Sequence, residues 1–373
     1  MFGSVRTPNS PGGKPGQTTR GTARPFARGQ EKPGHGMSTK ISIRELSRRL
    51  GYSPSTISNA LNHKPGVGQE TAEEIIRAAR QLGYERTAQL KRITFVIARK
   101  SGRMIDEGSF RLAVMNGLEH EASRMGLQTS YATVELSDEA ERARRIARLT
   151  SDASSGIVLL GTEMEEDDYR LFLDSRAKIV VVDGYSRRFF YEGVVFSNEN
   201  SAYNAVRHLI DRGHTKIGYI AGRLRIRNFP LRERGYRAAL AESGLPIEER
   251  WHVTLGTDKP ESAYRDMLAW LDGAKDLPTA FFADNDALAV GAMRALSERG
   301  YEVPRDVSMV GFDDVDYAAM AHPPLTTVHV PRFDIGCIAV RRLLELTSNA
   351  RPYTCVSHLS TALVERESVR TLR

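Results

Sequence analysis

Cysteine is nearly absent. Only Cys337 and Cys355 occur in 373 residues, with no metal-ligand spacing, which excludes a disulfide framework and fits a reducing cytoplasm. Both are expected to be plain buried or half-buried thiols. No apolar run approaches the ~20 residues of a membrane span, and no apolar secretory core follows Met1. A cytoplasmic location with no membrane partner is therefore expected. Gly-x-Ser-x-Gly, Walker and zinc patterns are missing too. Asp284/Asp286 and Asp313/Asp314 are acidic pairs, but such pairs make no metal site without further oxygen or nitrogen ligands. No catalytic residue, metal or cofactor is expected. An enzyme on this architecture, a sugar hydrolase or kinase, stays as an alternative that turnover of a bound ligand would reveal.

Charge is unevenly placed. Residues 1–36 hold six Lys/Arg against one acid and residues 37–92 hold ten against five, so of the total of +7 the rest of the chain carries −3. A basic front on a slightly acidic body suggests a nucleic-acid reader joined to something else. Residues 1–36 are rich in Gly, Pro, Thr and Arg, cannot bury enough apolar surface to offset ordering, and are expected to be a disordered basic tail. The tail reads either as a non-specific DNA arm or as an extension upstream of a start at Met37.

The stretch from Ser42 to Asn62 reads as two short helices and a turn. Ser42 and Glu45 have capping-box spacing. Ile43, Leu46 and Leu50 make one face apolar, Gly51 stops the helix, Ser53 caps a second helix and Pro54 opens it. Ile57 and Leu61 turn inward, leaving Ser55, Thr56, Ser58, Asn59 and Asn62 outward. This is helix-turn-helix geometry, whose second helix enters the major groove. A third helix over about 69–82 follows, with Ala72, Ile75, Ile76, Ala79 and Leu82 on one face. The headpiece is then 37–84, with Tyr84 packing back, and 85–92 is a short polar linker.

From Ile93 short apolar runs alternate with amphipathic helices, as at 93–98, 110–125, 156–160, 178–182, 199–212, 216–221, 230–243 and 279–283. Repeated strand–helix units mean parallel sheets with right-handed crossovers. There are too many units for one sheet. The fold class expected is an all-α helix-turn-helix headpiece plus α/β, with two doubly wound parallel-sheet subdomains and a ligand cleft between them.

At this point the chain resembles the LacI/GalR family of bacterial transcription repressors over about residues 40–370. The motifs are the Ser-x-x-Thr-Ile-Ser-x-Ala-Leu-Asn run at 53–62, the segment His208–Gly218, Arg232-Glu-Arg-Gly-Tyr236, Asp284-Asn-Asp286, Val310-Gly-Phe-Asp-Asp314, Pro324-Leu-Thr-Thr-Val328 and Leu363–Ser368, in the family's order. The resemblance implies a periplasmic-binding-protein-like effector and dimerisation domain at 93–373. Subdomain one takes about 93–195 and 326–354, and subdomain two about 196–325 and 355–370. It implies a homodimer on double-stranded operator DNA, controlled by a small effector, most often a carbohydrate. The family's Pro-Asn-x-x-Ala-Arg-x-Leu hinge is missing, the linker is about seven residues shorter, and Leu90 is the remaining candidate for the leucine that wedges the minor groove. Pro54, Ser55 and Asn59 stand where relatives often place Tyr, Gln or Arg, so a different operator is expected.

The DNA-contacting set is Ser42, Arg44, Ser53, Pro54, Ser55, Thr56, Ser58, Asn59, Asn62, His63 and Lys64, with Arg44, His63 and Lys64 near phosphates. Asn59 can pair bidentately with adenine; Ser53 and Asn62 also read as a cap and a stop. The effector set is Ser109, Phe110, Asp183, Arg232, Asn285, Asp286 and Asp313. Arg232 aligns with the family's sugar-hydroxyl arginine. Asp183 and Asp313 each follow a strand, Asn285 and Asp286 also read as helix-start groups, and Phe110 reads as a stacking face or as core. The dimer surfaces implied are the helix at 332–347, with Ile335, Ile338, Ala339, Leu343 and Leu344, and the helix near Leu112. A second reading is a cytoplasmic solute-binding protein without specific DNA function.

Overall fold

Strands apolar at every position must be covered on both faces, and Ile157, Val158, Leu159 and Leu160 are all buried, as are Ile179 to Val182. The computed structural model describes residues 41–61, 66–82, 90–100, 108–257, 260–348 and 353–372. The basic segment 1–36, Asn62, His63, Lys64, Tyr84 and linker positions 85–89 lie outside the described residues. The chain divides into two compact units, residues 1–86 and 87–373.

The first unit contains α1 (Ile43–Leu50), α2 (Pro54–Leu61) and α3 (Gln69–Gln81). Leu46, Ile57, Ala60, Leu61, Ile75 and Ala79 form its core. The Ser42 hydroxyl accepts the Glu45 amide at 3.2 Å. The Glu45 carboxylate goes to Arg49 and Arg48, so only half of the expected capping box forms. Gly51 ends α1 with φ +75°, a left-handed conformation that glycine adopts without Cβ strain.

The second unit has two lobes. In lobe one, β1 (Arg92–Arg99), β2 (Gln128–Glu135), β3 (Ser155–Leu160), β4 (Lys178–Val182), β5 (Glu192–Phe196) and β11 (Val356–Leu359) form one sheet in the order β11-β5-β4-β3-β1-β2. Every pair in it is parallel. Helices α4 (Gly108–Arg124), α5 (Glu139–Thr150), α6 (Glu166–Arg170) and α12 (Arg332–Ser348) belong to this lobe. Lobe two has β6 (Ile217–Gly222), β7 (His252–Leu255), β8 (Ala280–Ala283) and β9 (Ser308–Val310) in the order β7-β6-β8-β9. With it go α7 (Asn198–Asp211), α8 (Asn228–Glu242), α9 (Pro260–Gly273), α10 (Asp286–Glu298) and α11 (Asp316–Met320). Strands β10 (Thr327–His329) and β12 (Ala362–Val364) pair antiparallel. The chain passes between lobes at Ser197, between β10 and α12, and between β11 and β12.

Three expectations need correction. Residues 355–370 do not go together to the second lobe, because β11 pairs with β5 in the first sheet. The end of the expected linker is part of the core: Arg92 opens β1, and Leu90 is 5% exposed within lobe one's apolar cluster. A leucine held there is not available as a groove wedge. On α12, Ile335, Ala339 and Leu343 are fully buried in their own lobe, while Phe333 beside them and Leu112 on α4 are exposed. Helices α4 and α12 cross backbone to backbone, since a Cβ on Gly117 would lie 1.9 Å from the Phe333 carbonyl oxygen.

Candidate functional site

Two polar surfaces carry the predicted residues. On the headpiece, the Ser53 hydroxyl accepts the Thr56 amide at 3.1 Å and bonds the Ser55 and Thr56 hydroxyls at 2.7 and 2.8 Å. That fixes the start of α2 with Ser53, Pro54 and Ser55 exposed and Thr56, Ser58 and Asn59 half-exposed, opposite the buried Ile57, Ala60 and Leu61. Ser42 and Arg44 are exposed at the start of α1. The outer face of α2 thus offers short hydrogen-bonding groups, the chemistry that reads base edges and phosphates.

The second surface is a cavity of about 140 Å³ between the lobes. Phe110, Asp183, Arg232, Asn285 and Asp313 line it, so strand ends and helix starts from both lobes converge there. Ser109 falls in the first turn of α4. Asp286 does not line the cavity. Its carboxylate accepts the Thr327 hydroxyl and, at 2.9 Å, the Val315 amide, so it ties α10 to the strand-end loop. Burial, with the Asp313 carboxylate nearby, pushes its pKa up to about 8. Asn285 lines the cavity and also caps α10, accepting the Leu288 amide at 3.0 Å.

Arg232, on α8, is 2% exposed and is the centre of this site. It donates from Nε to Asn198 at 2.9 Å, from Nη1 to the Asp284 carbonyl and from Nη2 to Asp313 at 3.0 Å. Its guanidinium lies 3.7 Å over the Phe312 ring, which adds cation–π attraction in a desolvated place. Three of the five donor hydrogens of the guanidinium are thus directed by protein, and the plane is fixed. Asn198 donates to Asn228 at 3.3 Å, and Asn228 donates to Asp183 of lobe one at 2.8 Å. A continuous chain therefore runs from the lobe-two arginine to the lobe-one aspartate. Asp183 also accepts the Thr162 hydroxyl. Its pKa is pushed up to about 6 by burial, against the hydrogen bonds from Thr162 and Asn228. Asp183 and Asp313 have φ of 53° and 107°, a strained backbone state that in both cases falls at the cavity wall.

Residues 206–369 match the model of the periplasmic binding protein-like domain family. The HTH-type transcriptional repressor PurR of Erwinia tasmaniensis is 30% identical over 88% of this chain and 96% of its own length. The PurR repressor of Photorhabdus laumondii is 35% identical over 60% of this chain and 66% of its own. Among solved structures, the transcriptional regulator CelR–cellobiose complex superposes with a TM-score of 0.65 at 26% identity, covering 88% of this chain and 99% of that one. The chain belongs to the LacI/GalR family of effector-controlled, DNA-binding transcription regulators. A Lac repressor dimer bound to operator shares the fold, with a TM-score of 0.64 at 23% identity, covering 89% of this chain and 100% of that one.

Sequence reasoning passed over several residues that line the regulator's cavity: Arg99, Arg111, Thr162, Asn228 and Phe229. For Asn228 there was a signal. It lies four residues before Arg232 on one helix, so the two share a face. For Arg99 and Arg111 there was none, because nothing local separates a cavity arginine from a surface one. Among the described residues, no group of three His, Cys, Asp or Glu side chains is placed to hold a metal, and no helix is long and apolar enough to cross a membrane.

Proposed function

We propose that the regulator is a repressor that binds double-stranded operator DNA as a homodimer through α2, and that a small, neutral, hydroxylated ring compound in the inter-lobe cavity sets its operator affinity. The observation that carries the effector half is Arg232. It is buried, oriented by three protein acceptors and set at a wall shared with Phe110, Phe229, Asp183 and Asp313. Aromatic faces suit the apolar face of a sugar ring, and a fixed guanidinium with carboxylates and an amide suits its hydroxyls. The name of the CelR–cellobiose complex supports that class.

For DNA, Asn59 supplies base contact, and Ser42, Arg44, Ser53, Pro54, Ser55, Thr56 and Ser58 contribute backbone and edge contacts. Asn62, His63 and Lys64 complete the set as proposed contacts. The outward Phe333 and Leu112 side chains are proposed to meet their counterparts across the dimer, which brings two headpieces to one pseudo-palindromic site. An effector acts only through different affinity for the two states of the lobes.

A thermal-shift screen of sugars tests the effector half: saturating ligand stabilises by ~2.7 kcal/mol at 100 Kd, and Arg232→Ala should remove the shift. An unchanged shift in the variant sinks the cavity assignment. Gel shifts test the DNA half. Asn59→Ala should cost about 1–3 kcal/mol of operator binding, while equal binding by both proteins would favour the solute-binding reading.

A further inference from the structure

Beyond the inner cavity lies a second chamber of about 590 Å³ at the mouth of the cleft. The two share Thr162, Glu163, Leu224 and Ile226 as walls, so they are adjacent. The linings differ in kind. Phenylalanine rings line the inner cavity, whereas the outer chamber has no aromatic lining residue among the described residues. The loop after β3 contributes Glu163 and Glu165, the start of α6 contributes Glu166 and Asp167, and Lys100, Arg225 and Arg227 face them. These charges are already matched within the protein. Lys100 pairs with Glu165 at 2.7 Å, Arg225 with Asp284 at 2.5 Å and Asp167 with Arg188 at 3.0 Å. Arg227 of lobe two reaches Glu166 of lobe one at 2.8 Å and lies 4.2 Å over the Tyr185 ring, a clasp across the mouth.

Three cations against four carboxylates leave no positive excess to hold a phosphate or carboxylate. They do leave many oriented donors and acceptors, which suit a group that both gives and takes hydrogen bonds. We infer that the outer chamber is a second effector subsite for a neutral hydroxylated extension, so that the effector is a two-ring glycoside with one ring in the aromatic cavity and one beside the Glu166–Arg227 clasp. This rests on the inner cavity being the effector site.

Calorimetry on the full chain tests it, with cellobiose, maltose and lactose against glucose, galactose and glucose 6-phosphate. At least one disaccharide should bind about tenfold or more tighter than its component monosaccharides, the return on one or two added hydrogen bonds. Lys100→Met with Glu165→Gln, which removes both members of one pair, should cost that disaccharide about tenfold and leave the monosaccharide unchanged; Asp167→Asn, an exposed change, is the milder second variant. Equal affinity for one ring and two, tighter binding of the sugar phosphate, or equal losses for both sugars overturns the subsite while the inner site stands. Monosaccharide binding that survives Arg232→Ala instead overturns the inner site. Binding of no sugar, with operator still bound, overturns the carbohydrate class and this subsite with it.

Discussion

The two lobes face one cavity with the same residue type, in each case at positive φ, and use it differently. In lobe two, Asp313 is locked by an ion pair to a buried arginine that is itself held by Asn198, the Asp284 carbonyl and the Phe312 ring. In lobe one, Asp183 is held by the Thr162 hydroxyl and the Asn228 amide, both neutral, and the second of these crosses from the other lobe. A wall tied by charge resists displacement. A wall tied by neutral hydrogen bonds, one of which breaks whenever the lobes part, yields at modest cost. Lobe two thus offers the cavity a charge-locked wall and lobe one a wall held by neutral hydrogen bonds.

Four measurements sharpen or break that contrast. The largest effect should come from Asp313→Ala, which strands the Arg232 charge in the interior; unfolding of the effector unit should lose about 3–5 kcal/mol. Asp183→Ala removes an acceptor from two neutral donors and should cost about 1–3 kcal/mol. Equal losses in denaturant melts would erase the distinction. Asn228→Ala cuts the chain between the lobes. It should weaken effector binding by less than Arg232→Ala does and leave the two lobes more open in scattering profiles without ligand; unchanged profiles would remove Asn228 from closure.

The last contrast is in pH. Both Asp183 and Asp286 have folded pKa values above the ordinary 3.8, near 6 and near 8, so the native state holds their protons longer than the unfolded chain does. Each therefore favours folding below about pH 4 and loses that contribution as pH rises through its folded value. Replacement by Asn removes the loss. The melting-temperature gain of Asp183→Asn over wild type should grow up to about pH 6 and that of Asp286→Asn up to about pH 8. A pH-independent gain would show that these carboxylates stay ionised in the folded protein.

Much of this was legible because the information was local. The headpiece face followed from apolar spacing and from caps at Ser42, Gly51 and Ser53, which act within three or four residues. Strand ends followed from apolar runs, and so Asp183 and Asp313 could be named as cleft residues. Asp286 shows the limit. It is nearly the same size and shape as Asn285, one residue earlier, yet of the two only Asn285 faces the cavity, because α10 turns Asp286 toward Thr327 on a strand 41 residues away. Leu90 shows it too: its sequence context is polar, and only the packing of α12 against β3 makes its pocket.

By itself the sequence determined the alternation of elements, the reading helix and the family, because propensity, periodicity and motif order need only neighbours along the chain. The tertiary structure alone decided which lobe received β11, which aspartate met Arg232 and which arginines turned inward. Those outcomes depend on sheet order and on which charges are desolvated together, and neither is set within any short stretch of residues.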